Sequence, residues 1–414
     1  MRGRNGTPLV LLLSEFYKKK KIFSGGTGFM LEKQDGVYGM LPEEKMVPEA
    51  KILRDIYRKK PGAPILMREF GYFSLDKWKE QGHFSDFNQV AQELRLDRTG
   101  HFGMYNCGWC EAGFYPQFPE VVLEDRGEYE LVQDFAGRSV LYFKGRRNGF
   151  MPEYVAHPVT DWKSWEEKCK WRMTFDHPER KQDIAKTVAQ AVEAAHQGKM
   201  IQFCCVGGYM YLRSLMGPED LLYMFYDQPD LVHECMKTWF ELADQTMEMY
   251  QQSVTADEVF FGEDICYNHG LLISPDMVRE FLLPYYQQLV ANIKKRQLDR
   301  NRHLYVQIDT DGDCRPAIPV YREMGMAVMS PFEVASGCDV VEIGRQEPDL
   351  VMFGGFDKRV LSQGKDAIDR EVDRILPVMR ARGGYIPTCD HGVPEEVEFE
   401  DWVYFRRRLM EFAD

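Results

Sequence analysis

The chain has 414 residues, of which 44% are hydrophobic, 28% charged and 13% aromatic, and it carries a formal charge of −13. Its length is far beyond the size at which a fold needs disulfide or metal staples, and its apolar content leaves little room for long disordered tracts. The negative charge argues against general affinity for nucleic acid or anionic membranes, which requires a basic surface, and no run of about 18 apolar residues is present to predict a transmembrane helix.

In chain order, the apolar run Pro8 to Leu13 follows two arginines. It is too short for a signal-peptide core and leads into Lys18 to Lys21 without a small-residue cleavage site, so it reads as a local helix or strand. The ten cysteines fall mostly in apolar or irregular contexts and read as reduced, buried thiols; a cytoplasmic location is expected. A helical stretch near Glu49 to Lys59 leads into a candidate strand at Pro64 to Phe70, and a second candidate lies at Gly103 to Cys107. The pair Cys107-Gly-Trp-Cys110 has redox-motif spacing but no thioredoxin-like βαβ surroundings, and a pocket-wall or buried role is expected for it. Val121 to Leu123, Tyr129 to Val132 and Ser139 to Gly145 alternate like antiparallel strands separated by charged turns, which predicts an inserted hairpin region over about 118–160.

From about residue 200 the rhythm becomes regular. Strand-like runs at Met200 to Val206, Glu258 to Ile265, Leu304 to Asp309, Ala327 to Pro331, Leu350 to Phe356 and Gly384 to Cys389 alternate with helical stretches. That pattern predicts a parallel sheet with crossover helices. The expected architecture is α/β, a (β/α)8 barrel over 61–414, with a helical N-terminal extension over 1–60 and the hairpin insertion at its mouth.

A parallel barrel presents its reactive groups at the C-terminal ends of its strands. Those ends supply Arg68 and Glu69, Glu263 and Asp264, Gln307, Asp309 and Asp311, Glu333, Asp357, and Asp390 with His391. Convergent carboxylates with an imidazole suit a metal site, a general acid/base pair or recognition of a polar substrate, and spacing does not choose among them. Asp309-Thr310-Asp311-Gly312-Asp313 has the look of a calcium-loop start but lacks the downstream bidentate Glu; Asp311 and Asp313 equally suit a helix cap. The Gly pairs at 207–208, 354–355 and 383–384 match no nucleotide fingerprint, and tight turns at barrel ends account for them.

The stretches Gly262-Glu263-Asp264-Ile265, Leu272 to Met277 and Phe281 to Tyr286 resemble the pattern of the uroporphyrinogen decarboxylase superfamily. So do Gly354-Gly355-Phe356-Asp357 and the ending Gly384-Tyr385-Ile386 to Asp390-His391-Gly392-Val393-Pro394. The similarity covers roughly 60–414 and is strongest after 200. It implies a (β/α)8 barrel enzyme, either a decarboxylase or a methyltransferase that partners with corrinoid proteins.

The decarboxylases carry Met-Arg-Gln-Ala-Gly-Arg-Tyr, whose two arginines bind substrate carboxylates. The matching segment here is Met67-Arg68-Glu69-Phe70-Gly71-Tyr72-Phe73, and the second arginine is absent. Thiol methyltransferases of the superfamily bind zinc through His-x-Cys and a later Cys; those positions resemble Gln307-Ile308-Asp309 and His391, with Cys389 two residues away, so the thiol-zinc set is not intact. The Asp309 to Asp313 and Asp390-His391 segments are more similar to the O-demethylase branch.

That resemblance implies transfer of a methyl group from a small methylated donor, a methoxylated aromatic, to cobalamin carried by a partner corrinoid protein, with a homodimer as one assembly. His391, Asp309 and Glu263 would be the catalytic residues and would also hold a metal such as Zn2+. Arg68, Tyr72, Asp264, Gln307, Asp311, Asp357 and Asp390 would bind substrate. A carboxy-lyase and a non-catalytic barrel are the competing expectations.

Overall fold

The structure is a computed structural model that describes residues 45–97, 101–109, 113–145, 147 and 152–413; the Pro8 to Lys21 segment and Cys110 lie outside them. Its strands are β1 (Met104–Trp109), β2 (Val121–Arg126), β3 (Tyr129–Gln133), β4 (Ser139–Phe143), β5 (Glu153–Ala156), β6 (Met200–Val206), β7 (Glu258–Gly262), β8 (Cys266–Tyr267), β9 (Gly270–Leu271), β10 (Tyr305–Asp309), β11 (Val328–Ser330), β12 (Val351–Phe353) and β13 (Tyr385–Ile386).

Seven of these form one sheet in the order β1-β6-β7-β10-β11-β12-β13, and every pairing in it is parallel. Parallel neighbours need crossover connections, here helices packed outside the sheet. Both faces are therefore covered, and all seven residues of β6, Met-Ile-Gln-Phe-Cys-Cys-Val, are buried. The helix Pro229–Gln251 opens with Pro at its first turn and buries Leu231, Val232, Cys235, Met236, Trp239, Phe240 and Ala243, a 3.6-residue stripe facing the core.

Pro64 to Phe70, expected as a strand, is not one. Residues 64–73 run extended between the two edges of the sheet, yet their backbone groups are met singly rather than in a ladder. Met67 O accepts from Asp97 N at 2.9 Å, Gly71 O accepts from Val393 N at 2.9 Å, and Tyr72 makes one parallel bridge to Val393. Arg68 O accepts from the Thr388 hydroxyl at 2.8 Å and from Arg406 at 3.2 Å. Side chains thus take the acceptors that a neighbouring strand would use, and Pro64 has no N–H to give.

The floor of the barrel is closed by the helix Pro48–Tyr57. Its Ala50, Leu53, Ile56 and Tyr57 pack on Met104, Met200, Val328, Val351, Phe353 and Ile386 from the strand starts and interior. Strands β2 to β5 form a separate antiparallel sheet between β1 and the helix Pro178–His196. Two residues, Gly127 and Glu128, turn β2 into β3; Gly127 sits at φ +81°, a conformation such a tight hairpin demands. No helix among the described residues is long and apolar enough to cross a membrane.

Candidate active site at the barrel mouth

The C-terminal end of β7 turns sharply into Glu263 and Asp264. Both backbone N–H groups donate to Asp309 O, at 2.8 and 3.2 Å, which ties the ends of β7 and β10 together. Asp264 is held at φ +46°, a left-handed conformation that costs free energy for a non-glycine residue, and the Arg213 guanidinium clasps its carboxylate. Phe332, just past β11, is held at φ +62°. Strained backbone at two strand ends, one on either side of β10, marks this rim.

Asp309 accepts a hydrogen bond from Ser330, which accepts in turn from the Gln307 amide at 3.0 Å. Burial raises the Asp309 pKa, with the Ser330 hydrogen bond and the Arg68 charge opposing it. Arg68 itself lies inside the barrel with its guanidinium 4.7 Å from the Phe70 ring centroid, and burial lowers its pKa against the pull of Asp309 and Asp97.

Asp311 stands at the rim with His391 Nε2 3.7 Å from its Oδ2. Partial burial, compounded by the carboxylates of Asp264, Asp309 and Glu333, pushes the Asp311 pKa up to about 7. The His391 ring is parallel within 5° to Phe73, at a centroid distance of 6.2 Å. Beside Asp311, Glu333 accepts from Gly312 N at 2.9 Å and lies 3.4 Å from Lys358 Nζ. Asp390 is buried; it accepts from the backbone N–H groups of Val334 and Lys358 at 2.9 and 3.1 Å, and its pKa is raised by burial.

Of the residues expected from the sequence, Arg68, Asp264, Gln307, Asp309, Asp311, Asp390 and His391 thus lie at or just beneath one mouth. Three do not serve as expected. Glu263 is fully buried and its oxygens are taken by the Tyr286 hydroxyl, the Tyr321 hydroxyl at 2.7 Å and Tyr209 N at 3.3 Å; burial pushes its pKa up to about 7 despite these donors. Tyr72 packs edge-on against Trp78, Phe87 and Trp402, with centroids 5.2 to 6.1 Å away, and is a packing residue. Asp357 is held by Arg359 at 2.7 and 2.8 Å and caps the following 3-10 turn.

The metal set Glu263, Asp309 and His391 does not fit an ion, because Glu263 has already spent its acceptors on tyrosines. Among the described residues no group of three or more His, Cys, Asp or Glu is arranged to hold one. Cys107 and Cys389 are fully buried, and burial raises both thiol pKa values.

Sequence reading passed over Ser330, Lys358, Arg213 and Phe73. The first two were within its reach, since Ser330 ends β11 and Lys358 follows the Asp357 strand end. Arg213 reaches in from a helix, Gly208–Met216, and carries no strand-end signal. A cavity of about 570 Å³ lined by Val47, Ile65, Met67, Arg95, Phe102 and Lys199 lies by the strand starts, apart from the Asp311–His391 pair.

A family model described as uroporphyrinogen decarboxylase (URO-D) matches residues 149–410. No curated protein matches the chain at a significant level. Among solved structures, a methyltransferase from Methanosarcina mazei superposes with a TM-score of 0.55 at 13% identity, covering 88% of this chain and 99% of that one. A B12-independent methionine synthase from Shewanella sp. W3-18-1 superposes with a TM-score of 0.40 at 11% identity, covering 85% and 97%.

Proposed function

Since the chain belongs to the uroporphyrinogen decarboxylase family, we propose that it is a methyltransferase. It takes a methyl group from a small methylated donor, a methoxylated aromatic, and delivers it to cob(I)alamin carried by a separate corrinoid protein. The carrying observation is the Asp311–His391 pair at the mouth, 3.7 Å apart, with the Asp311 pKa raised to about 7.

Cleaving an aryl methyl ether by attack at the methyl carbon sends the C–O bonding electrons to oxygen. A phenolate leaves poorly, so a proton delivered to that oxygen as the bond breaks lowers the barrier. A carboxyl that is still half protonated near neutral pH is suited to give it, and His391 beside it can restore the proton. The Ser330 and Gln307 chain fixes Asp309 behind this pair, and Phe73 lies parallel to the His391 ring. The carboxylates keep the mouth acidic, which argues against a polycarboxylate porphyrinogen: Arg68 stands without the second arginine of the decarboxylase segment.

The test is release of the phenol from a methoxyarene, followed by chromatography with the purified chain, a reductant and a corrinoid protein. Phenol that appears with the corrinoid protein and not without it supports the reading. Consumption of a carboxylated substrate without corrinoid protein would replace it with the lyase.

A further inference from the structure

Two buried thiols meet beneath the mouth. Cys314 follows the Asp311-Gly312-Asp313 turn after β10, and Cys338 follows the Val334–Ser336 turn after β11. Their sulfurs are 3.7 Å apart, and the Cys338 thiol also reaches Gly312 O at 3.5 Å. The loops that carry them are already joined, because Gly312 N donates to Glu333 at 2.9 Å.

We propose that Cys314 and Cys338 are a reversible redox pair, whose closure to a disulfide pulls the two mouth loops together and shifts Asp311 relative to His391. A disulfide holds its sulfurs about 2 Å apart, so closure brings these two nearer by roughly 1.7 Å. The turn from Asp311 to Cys314 is closely packed. Gly312 sits at φ +79°, packed so tightly on Tyr267 that a Cβ there would lie 2.6 Å from its carbonyl oxygen. Asp311 is the next residue along, and a shift of about 1 Å at a reacting group is enough to cost about 100-fold in rate.

The two thiols are not equivalent. The contact between the two sulfurs and burial raise the Cys314 pKa, while the same contact lowers the Cys338 pKa against burial, helped by the nearby Arg315 charge. Within this proposal Cys338 is assigned as the attacking thiolate. The oxidant is hydrogen peroxide. The Cys338 thiolate attacks one peroxide oxygen, the O–O bond breaks, and hydroxide leaves and takes up a proton to become water. The Cys314 thiol then attacks the resulting sulfenic sulfur, its proton leaves with the hydroxyl as a second water, and the S–S bond forms. Two thiols are oxidised and one peroxide is reduced to two waters.

Peroxide treatment of the full chain, with non-reducing peptide mapping, a sulfenic-acid label and NMR of the His391 ring, tests this. The linked Cys314–Cys338 peptide should form in the wild type and disappear with dithiothreitol. C314S should trap the label on Cys338, and C338S should leave Cys314 unlabelled. If a serine variant does not fold, C314A and C338A serve instead.

The His391 resonance, identified by its loss in H391Q, should move on oxidation of the wild type and stay put in either variant. Absence of the linked peptide under conditions that label Cys338 in C314S overturns the pairing. Labelling of Cys314 in C338S overturns the assignment of the attacker, and an unmoved His391 resonance overturns the coupling to the mouth. None of these readings depends on methyl transfer.

Discussion

If Asp311 and His391 divide the work of one proton, as proposed, their variants test it. D311N should lower turnover by about 10²- to 10⁴-fold, the usual worth of a general acid, and H391A should fall in the same range with the fold intact, since a half-exposed rim residue contributes little packing. The acid must be protonated to act, so wild-type kcat should decline as pH rises through about 7, where the Asp311 pKa lies. The residual rate of D311N should lack that limb. A pH–rate profile of both proteins checks the assignment.

Glu263 and Glu258 predict a different pH dependence, one of stability. Each is fully buried with a pKa raised from 4.5 to about 7 by burial. Between those values the unfolded chain ionises while the folded one keeps its protons, so stability falls as pH rises from about 4.5 to about 7 and levels off above. Each group accounts for roughly 3 kcal/mol of that fall. Urea unfolding across this range should show the slope, and E263Q should remove its share.

Sequence position placed Glu263 at a strand end correctly as an address, but whether a strand-end side chain faces the mouth or turns into a tyrosine pocket depends on Tyr286 and Tyr321, which come from other helices. No local pattern carries that. For Asp311 the address sufficed, and the pKa shift came only with its neighbours.

Among the elements, the seam at residues 64–73 depends on one buried ion pair. Arg406, from the last helix, lies 2.8 Å from Glu69, both side chains being fully buried, and Thr388 and Cys389 N also donate to that carboxylate. Removing one partner strands the other, so R406A should cost about 3–5 kcal/mol in denaturant unfolding, whereas a paired apolar replacement of both should cost far less.

The alternating pattern revealed the strands after residue 200 because each is a short β-branched or aromatic run bounded by helical period. Apart from Met200 to Val206 they came out shorter than read, as at β13, where the ladder holds only Tyr385 and Ile386 and Cys389 makes an isolated bridge to Phe356. Pro64 to Phe70 has the composition of a strand, and only the side-chain donors arriving from Thr388 and Arg406, more than 300 residues away, divert it from a ladder.

For the whole molecule, regular strand and helix alternation sufficed to predict a parallel α/β barrel, and the likeness to the Methanosarcina mazei methyltransferase agrees with that fold. The floor helix Pro48–Tyr57 was legible as a helix; its role as a plug required knowing that Tyr57 reaches Glu258 inside the barrel. The expected zinc set failed for a reason of the same kind, because the competition of tyrosine hydroxyls for Glu263 exists only in three dimensions. Chelation with EDTA should therefore leave both unfolding and turnover unchanged, a result that a zinc-dependent rate would contradict.

The most direct test of the central claim is the absorbance change on converting cob(I)alamin to methylcobalamin. The purified chain would be given reduced corrinoid protein and, in separate reactions, a panel of methoxyarenes and a panel of methylamines. The account predicts methylcobalamin with a methoxyarene, at a rate that drops by two orders of magnitude or more in D311N. No methylcobalamin from any donor, with a corrinoid protein shown to be competent by another methyltransferase, would contradict it.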